Sequence, residues 1–325
     1  MNIEEYVSKL NKDLYRIIDE DTFIKILNLN NNMYRFNIIN RVALAVMYEQ
    51  ELFDLKSKEE WFSLGRRIIK DTEKVQVALP VYSIEYIDNN TSEKIDINEF
   101  TSDELIKALE LDIIQKREIA DKLIISSMYD IRNTVNIDSN TKYDVPKPNL
   151  GITEYYDIIH KLTGITVEES ESSFFYEKDK LLFLNRQNYT DTINILTDTL
   201  VKYMLHNIDN YVIDINNYKH INLSNKRIEK LLIACIKFSI QTIFGIKNKN
   251  EVIMTLRQSG VSSMEEMLDL LMIYDELITN IIKYIRYTND SIYTDVIASV
   301  VMIKKSELLL NILQANSVNN KIEGS

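Results

Sequence analysis

The chain has 325 residues, is 45% hydrophobic and carries a formal net charge of −11, with six Gly, three Pro and one Cys. That length and apolar content support a large core spread over two domains, and the scarcity of Gly and Pro fits long helices and excludes a sandwich of short strands. A lone Cys235 excludes an internal disulfide and fits a reducing cytoplasm, no apolar run reaches the roughly 20 residues that cross a bilayer, and MNIEEYVSKL lacks the pattern of a secretion signal.

Apolar positions at Ile3, Tyr6, Val7, Leu10, Leu14, Ile17 and Ile18 predict a helix over 3–20. A second helix is expected over 36–53, with Asn37 and Asn40 on one face and Val42, Ala43, Val46 and Met47 on an apolar side. Ser57 and Glu60 form a capping box for a short helix carrying Trp61, and Gly65 is placed to end it. Lys74 to Tyr86 reads as a strand with Pro80 at an edge or bend, and Ser92 to Asn98 is a candidate partner. A further helix is expected from Thr101 to Arg132. The polar segment 133–150, with Pro146 and Pro148, reads as a linker.

Beyond it, helices are expected near 152–163, 190–207, 225–245, 249–258, 263–286 and 291–315, with a polar tail from Asn316 to Ser325. Extended pieces are expected at Ile165–Val167 and in the apolar run of Lys180–Asn185. No Gly-rich phosphate loop is present. Cys235 lies in an apolar run and reads as a small core residue.

The stretch Phe36–Pro80 carries the most specific pattern. Phe36, Asn37 and Asn40 open a helix, Trp61, Leu64, Gly65 and Arg66 form a Trp-x-x-Leu-Gly-Arg element, and Lys70, Lys74 and Pro80 follow. This pattern resembles the single-stranded-DNA-binding N-terminal domain of ArdC-like (LtrC-like) antirestriction proteins. One position departs from it: Asp71 stands where the family usually has Gly. Single strands are held by a cationic groove along the phosphates and by aromatic faces that stack on bases. Arg41, Arg66, Arg67, Lys70 and Lys74 are the candidate groove, Asn37 and Asn40 candidate donors, and Tyr34 or Phe36 a candidate stacking ring. Trp61 serves either as a core anchor or as a stacking platform. The net charge opposes general adhesion to polyanions. Residues 1–82, however, hold 12 Lys or Arg against 13 Asp or Glu, leaving room for a local basic face.

The resemblance also implies a second, zincin-like domain with His-Glu-x-x-His on a helix and a later Glu ligand. Here Lys202-Tyr203-Met204-Leu205-His206 stands in place of that motif, and Ala234 at the third ligand position. Catalytic zinc needs about three protein ligands and a carboxylate base, so the expectation is a pseudo-metallopeptidase that binds no metal or other cofactor. His206 is expected as a buried or half-buried remnant, and Lys202 toward solvent or a nearby acid. The combined expectation is an α+β, predominantly helical protein. A small α/β DNA-binding domain would span 1–132, a linker 133–150, and a degenerate zincin-like domain with a short sheet and C-terminal helices 151–325. Its expected partners are single-stranded DNA and a host defence protein, with no membrane.

Overall fold

Capping and amphipathic spacing build the first helical layer. Asn2 and Glu5 cap α1 (Ile3–Asp13) reciprocally, and Tyr6, Val7 and Leu10 turn one face inward. A 3-10 turn follows over Leu14–Ile18. Asp19 then caps α2 (Glu20–Asn32), a helix not among the expected elements although Phe23, Ile26 and Leu27 carry its spacing. Asn37 caps α3 (Ile38–Met47), every residue of which is buried. The computed structural model describes residues 1–33, 35–96, 100–138, 143–145, 147–185, 188–212, 215–246 and 248–287. Tyr34, Pro146, the expected helix at 291–315 and the tail from Asn316 lie outside them.

The chain continues through β1 (Leu55–Lys56), α4 (Lys58–Ser63), β2 (Arg66–Ile68), β3 (Val75–Asp88), β4 (Lys94–Ile95), α5 (Ser102–Glu110), β5 (Ile114–Asp130) and β6 (Thr134–Asn136). The strands β1-β5-β3-β4 form an antiparallel sheet. Its centre is the long β3–β5 pairing, which runs from Val75 opposite Met128 to Asp88 opposite Ile114 and shifts register between Val81 and Tyr82. The expected helix over 101–132 is therefore wrong beyond Glu110. Exposure alternates along Lys122, Leu123, Ile124 and Ile125, the period-two pattern of a strand, and β3 supplies the backbone partners.

The remaining elements are β7 (Pro148–Asn149), α6 (Ile152–Thr163), β8 (Thr166–Glu169), β9 (Phe174–Tyr176), β10 (Leu181–Leu184), α7 (Tyr189–His206), α8 (Lys226–Ile243), α9 (Asn250–Ser259), α10 (Met264–Ile282) and β11 (Arg286–Tyr287). β10 lies between parallel β8 and antiparallel β9. The fold is α+β and predominantly helical, as expected.

The segment 133–150 is not a plain linker, because β6 pairs with β2 and β7 pairs with β11. Nor does the core divide there. Residues of α1–α3 join those of α6–α10 in a single apolar cluster. Within it α8 is buried at every position from Leu231 to Gln241, as an element enclosed on all sides must be. Among the described residues, no helix is long and apolar enough to cross a membrane.

Candidate nucleic-acid interface

Five of the nine residues expected to touch DNA lie inside the protein. Phe36, Asn37, Asn40, Arg41 and Trp61 are all buried. Asn37 accepts the Asn40 backbone N–H at 2.9 Å as the α3 cap, and Asn40 donates its side-chain amide to the Ala78 carbonyl at 2.8 Å. Arg41 pairs with Asp275 of α10, both side chains being almost fully enclosed. Arg35 lies over the Phe36 ring, 4.9 Å from its centroid, and reaches Glu60 at 2.7 Å. These residues are corrected from direct contacts to frame: a side chain without accessible surface cannot meet a strand laid on the outside.

Trp61 resolves as the core anchor. It is 0% exposed, donates its indole N–H to the Tyr129 carbonyl at 2.8 Å, and meets Tyr143 edge-on with centroids 5.3 Å apart. Tyr143 in turn donates to Asp54 at 2.7 Å, and Lys56 bridges the same carboxylate at 2.7 Å. Arg66 is half-buried and engaged from within. Its guanidinium donates to the Thr134 hydroxyl at 2.7 Å, the Thr134 carbonyl at 3.1 Å and the Asn136 side chain, tying β2 to β6.

The other side of that two-stranded ribbon faces out. Directly opposed residues of an antiparallel pair share a face, and that face alternates along each strand. Arg66 opposes Asn136 and Ile68 opposes Thr134 on the inner side, whereas Arg67 opposes Val135 on the outer. Backbone bonds from Ile69 to Asn133 at 3.0 Å and from Ile137 to Gly65 at 2.8 Å extend the ladder by a residue at each end. The outer face therefore carries Arg67, Ile69, Val135 and Ile137, the last three being 42%, 39% and 50% exposed.

On α4, Phe62 is 70% exposed, the most exposed large apolar side chain among the described residues. The sequence pattern drew attention to Trp61. Neighbouring helical residues lie about 100° apart, however, so when one ring turns inward the next turns out. Lys70 and Lys74 are exposed in the turn that follows β2. Asp71 sits there at φ 61°, the left-handed conformation that glycine adopts without strain and that Asp tolerates. Asp71 thus places a negative charge between the two lysines.

Lys202 and His206, four residues apart, share one face of α7. Lys202 and His206 are both exposed on α7, so the expectation of a buried or half-buried His206 is corrected, whereas Lys202 turns to solvent as foreseen. The inward face of α7 is Thr192, Ile193, Leu196, Thr197, Leu200, Val201 and Met204. Ala234 is buried in α8.

The polar contacts between α7 and α8 lie two turns earlier. Gln241 donates to Asn194 at 2.6 Å, and the Lys237 ammonium stands 3.4 Å from Asp198 and 3.2 Å from Glu251 of α9. Asn194 and Asp198 are four apart on α7, as are Lys237 and Gln241 on α8, so two helical ridges meet through matched polar rungs. Among the described residues, no group of three or more His, Cys, Asp or Glu is placed to hold a metal ion.

No family model matches the chain, and no curated protein matches it. Among solved structures it is similar to the antirestriction protein ArdC from the R388 plasmid. The metal-free structure of that protein gives 11% identity and a TM-score of 0.36, covering 77% of this chain and 85% of that one. Its Mn(II)-bound structure gives 10% identity and a TM-score of 0.36, covering 75% and 83%. Likeness at that score carries no residue-by-residue correspondence.

Proposed function

We propose that this chain is a non-catalytic, ArdC-like antirestriction protein of a mobile element or phage. It binds single-stranded DNA in the cytoplasm and thereby protects DNA or antagonises a host defence. The observation that carries the reading is the outer surface of the β2–β6 ribbon and α4, where Phe62, Arg67 and Lys70 are exposed within one short stretch of chain. An exposed ring and exposed cations are the minimal equipment for gripping an unpaired strand, the ring stacking on a base while the cations follow the phosphates.

The non-catalytic part of the reading rests on α7 and α8. A lysine ammonium lies between Asp198 and Glu251, and the one histidine of α7 faces solvent. A cation already held by both carboxylates disfavours a divalent ion there.

Anisotropy of a labelled single-stranded oligonucleotide, titrated over a salt series, tests the proposal. Phe62→Ala should weaken binding by about 1–3 kcal/mol, roughly fivefold to 150-fold, without altering the fold. The double variant R67E/K70E should weaken it further and flatten its dependence on salt. No binding at low salt, or affinity untouched by these changes, would defeat the reading.

A second reading is favoured by Ile69, Val135 and Ile137, whose exposed aliphatic side chains share the outer face with Arg67. Aliphatic groups add little to base stacking but are ordinary constituents of a protein-docking surface. Under that reading the ribbon binds a host defence enzyme. Val135→Asp would then abolish capture of that enzyme while the protein showed no affinity for oligonucleotides.

A further inference from the structure

A concavity of about 400 Å³ lies between the start of α8 and the end of α9, lined by Arg227, Lys230, Thr255, Arg257, Gln258 and Gly260. Three of these six residues are cationic, none is acidic and none carries an apolar side chain. In a chain of net charge −11 that concentration runs against the average composition. Arg227 and Lys230 are exposed in the first turns of α8 and make no ion pair among the described residues. The positive end of the 18-residue α8 macrodipole adds to their field.

Arg257 is held differently. Glu20 of α2 takes its Nε at 2.6 Å and its Nη2 at 2.7 Å, which fixes the guanidinium and leaves Nη1 without a partner among the described residues. Glu20 offsets much of the Arg257 charge, so Arg257 contributes an oriented N–H donor while the net positive charge of the hollow comes from Arg227 and Lys230.

A second hollow of about 290 Å³ shares Arg257 and Gln258 as a wall and adds Asn250, Ile253 and Met254. Ile253 and Met254 give this hollow apolar side chains, which the residues around the first one do not supply. A cationic hollow beside an apolar one matches a molecule with a charged end and a carbon-rich body. The first hollow alone lies within the size range of small-ligand sites.

The geometry points to a binding site for a small organic phosphate, with the phosphate monoester among Arg227, Lys230 and Arg257 and the organic body over Ile253 and Met254. This site is independent of the β2–β6 ribbon and stands or falls without it. Calorimetric titration of the full chain with phenyl phosphate and, separately, inorganic phosphate at low salt tests it. Phenyl phosphate should bind more tightly, and R227E/K230E should weaken both ligands at least about tenfold. Both substituted side chains are exposed, so the unfolding midpoint of that variant should match the wild type.

Absence of phenyl phosphate binding, or equal affinity in the charge-reversed protein, would overturn the assignment. A single-stranded oligonucleotide supplies the remaining arm. If R227E/K230E removed oligonucleotide binding while phenyl phosphate never bound, the basic hollow would belong to a polynucleotide track and the small-ligand site would be refuted.

Discussion

Arg41 offers the sharpest test of whether the α3 residues belong to the frame or to a ligand surface. Its guanidinium pairs with Asp275, the two side chains being 2% and 3% exposed. Asp275 also accepts the Ile38 backbone N–H, and its burial pushes the carboxyl above the usual range although Arg41 pulls it back. Arg41→Met would leave that carboxylate enclosed without its counter-charge, at a cost of about 3–5 kcal/mol.

The sign of the pH dependence follows. Without Arg41 the folded-state pKa of Asp275 rises further above its unfolded value. Stability is then lost as pH rises from the unfolded pKa toward the folded one, and the deficit against wild type shrinks in acid. Replacing both partners, R41M/D275L, removes charge and counter-charge together and should recover most of the loss or exceed the wild type by up to ~4 kcal/mol. Guanidinium unfolding followed by fluorescence of the enclosed Trp61, at neutral and mildly acidic pH, reads all three proteins. The reasoning fails if R41M costs under about 1 kcal/mol, or if the double variant is no more stable than R41M. It fails equally if the folded double variant has lost affinity for an oligonucleotide bound by the wild type, since Arg41 would then reach the ligand after all.

Two further expectations concern single groups. Cys235 is 0% exposed, and desolvation raises its thiol far above the ordinary range, so a thiol reagent at mildly alkaline pH should react only at the rate of unfolding; rapid stoichiometric labelling of the native protein would contradict the packing of α8. Glu266 accepts the Ser262 and Ser263 backbone N–H groups at 3.0 Å each, and those bonds hold its carboxyl below the usual range. A depressed carboxyl contributes stability above its unfolded pKa and loses it as pH falls through the folded one. E266Q should therefore lower the melting temperature at pH 7 and converge on the wild type as pH falls through the folded-state pKa, whereas a constant gap would exclude charge as the cause.

Local rules recovered the elements whose signals are local. The Ser57–Glu60 capping box forms as read, and Gly65 takes φ 71° just past the end of α4. The helices near 152–163, 190–207, 225–245 and 249–258 appear within a residue or two of their periodic limits. Three of the failures share one cause, which is contact between residues far apart in the chain. Ile114–Asp130 is a strand because β3 pairs along its length, although its composition also allows a helix. Arg41 looked like a surface cation because its partner is 234 residues away. His206 was placed by motif spacing, which cannot say which side of α7 meets α8.

The alternation of the β2 segment also limits how any ligand could use it. Trp61 and Arg66 work from the inside, through the Tyr129 carbonyl and through Thr134 and Asn136, to hold α4 and the ribbon in place. Phe62 and Arg67, one residue further along in each case, emerge on the outside. A partner that reads this surface, polynucleotide or protein, must therefore contact positions that interleave with those maintaining the fold. Substitution along 61–69 should then sort by parity within β2 and by helix face within α4: stability falls at Trp61 and Arg66, and affinity falls at Phe62, Arg67 and Ile69. Were both quantities to fall together at every position, the ribbon would be a folding element with no ligand.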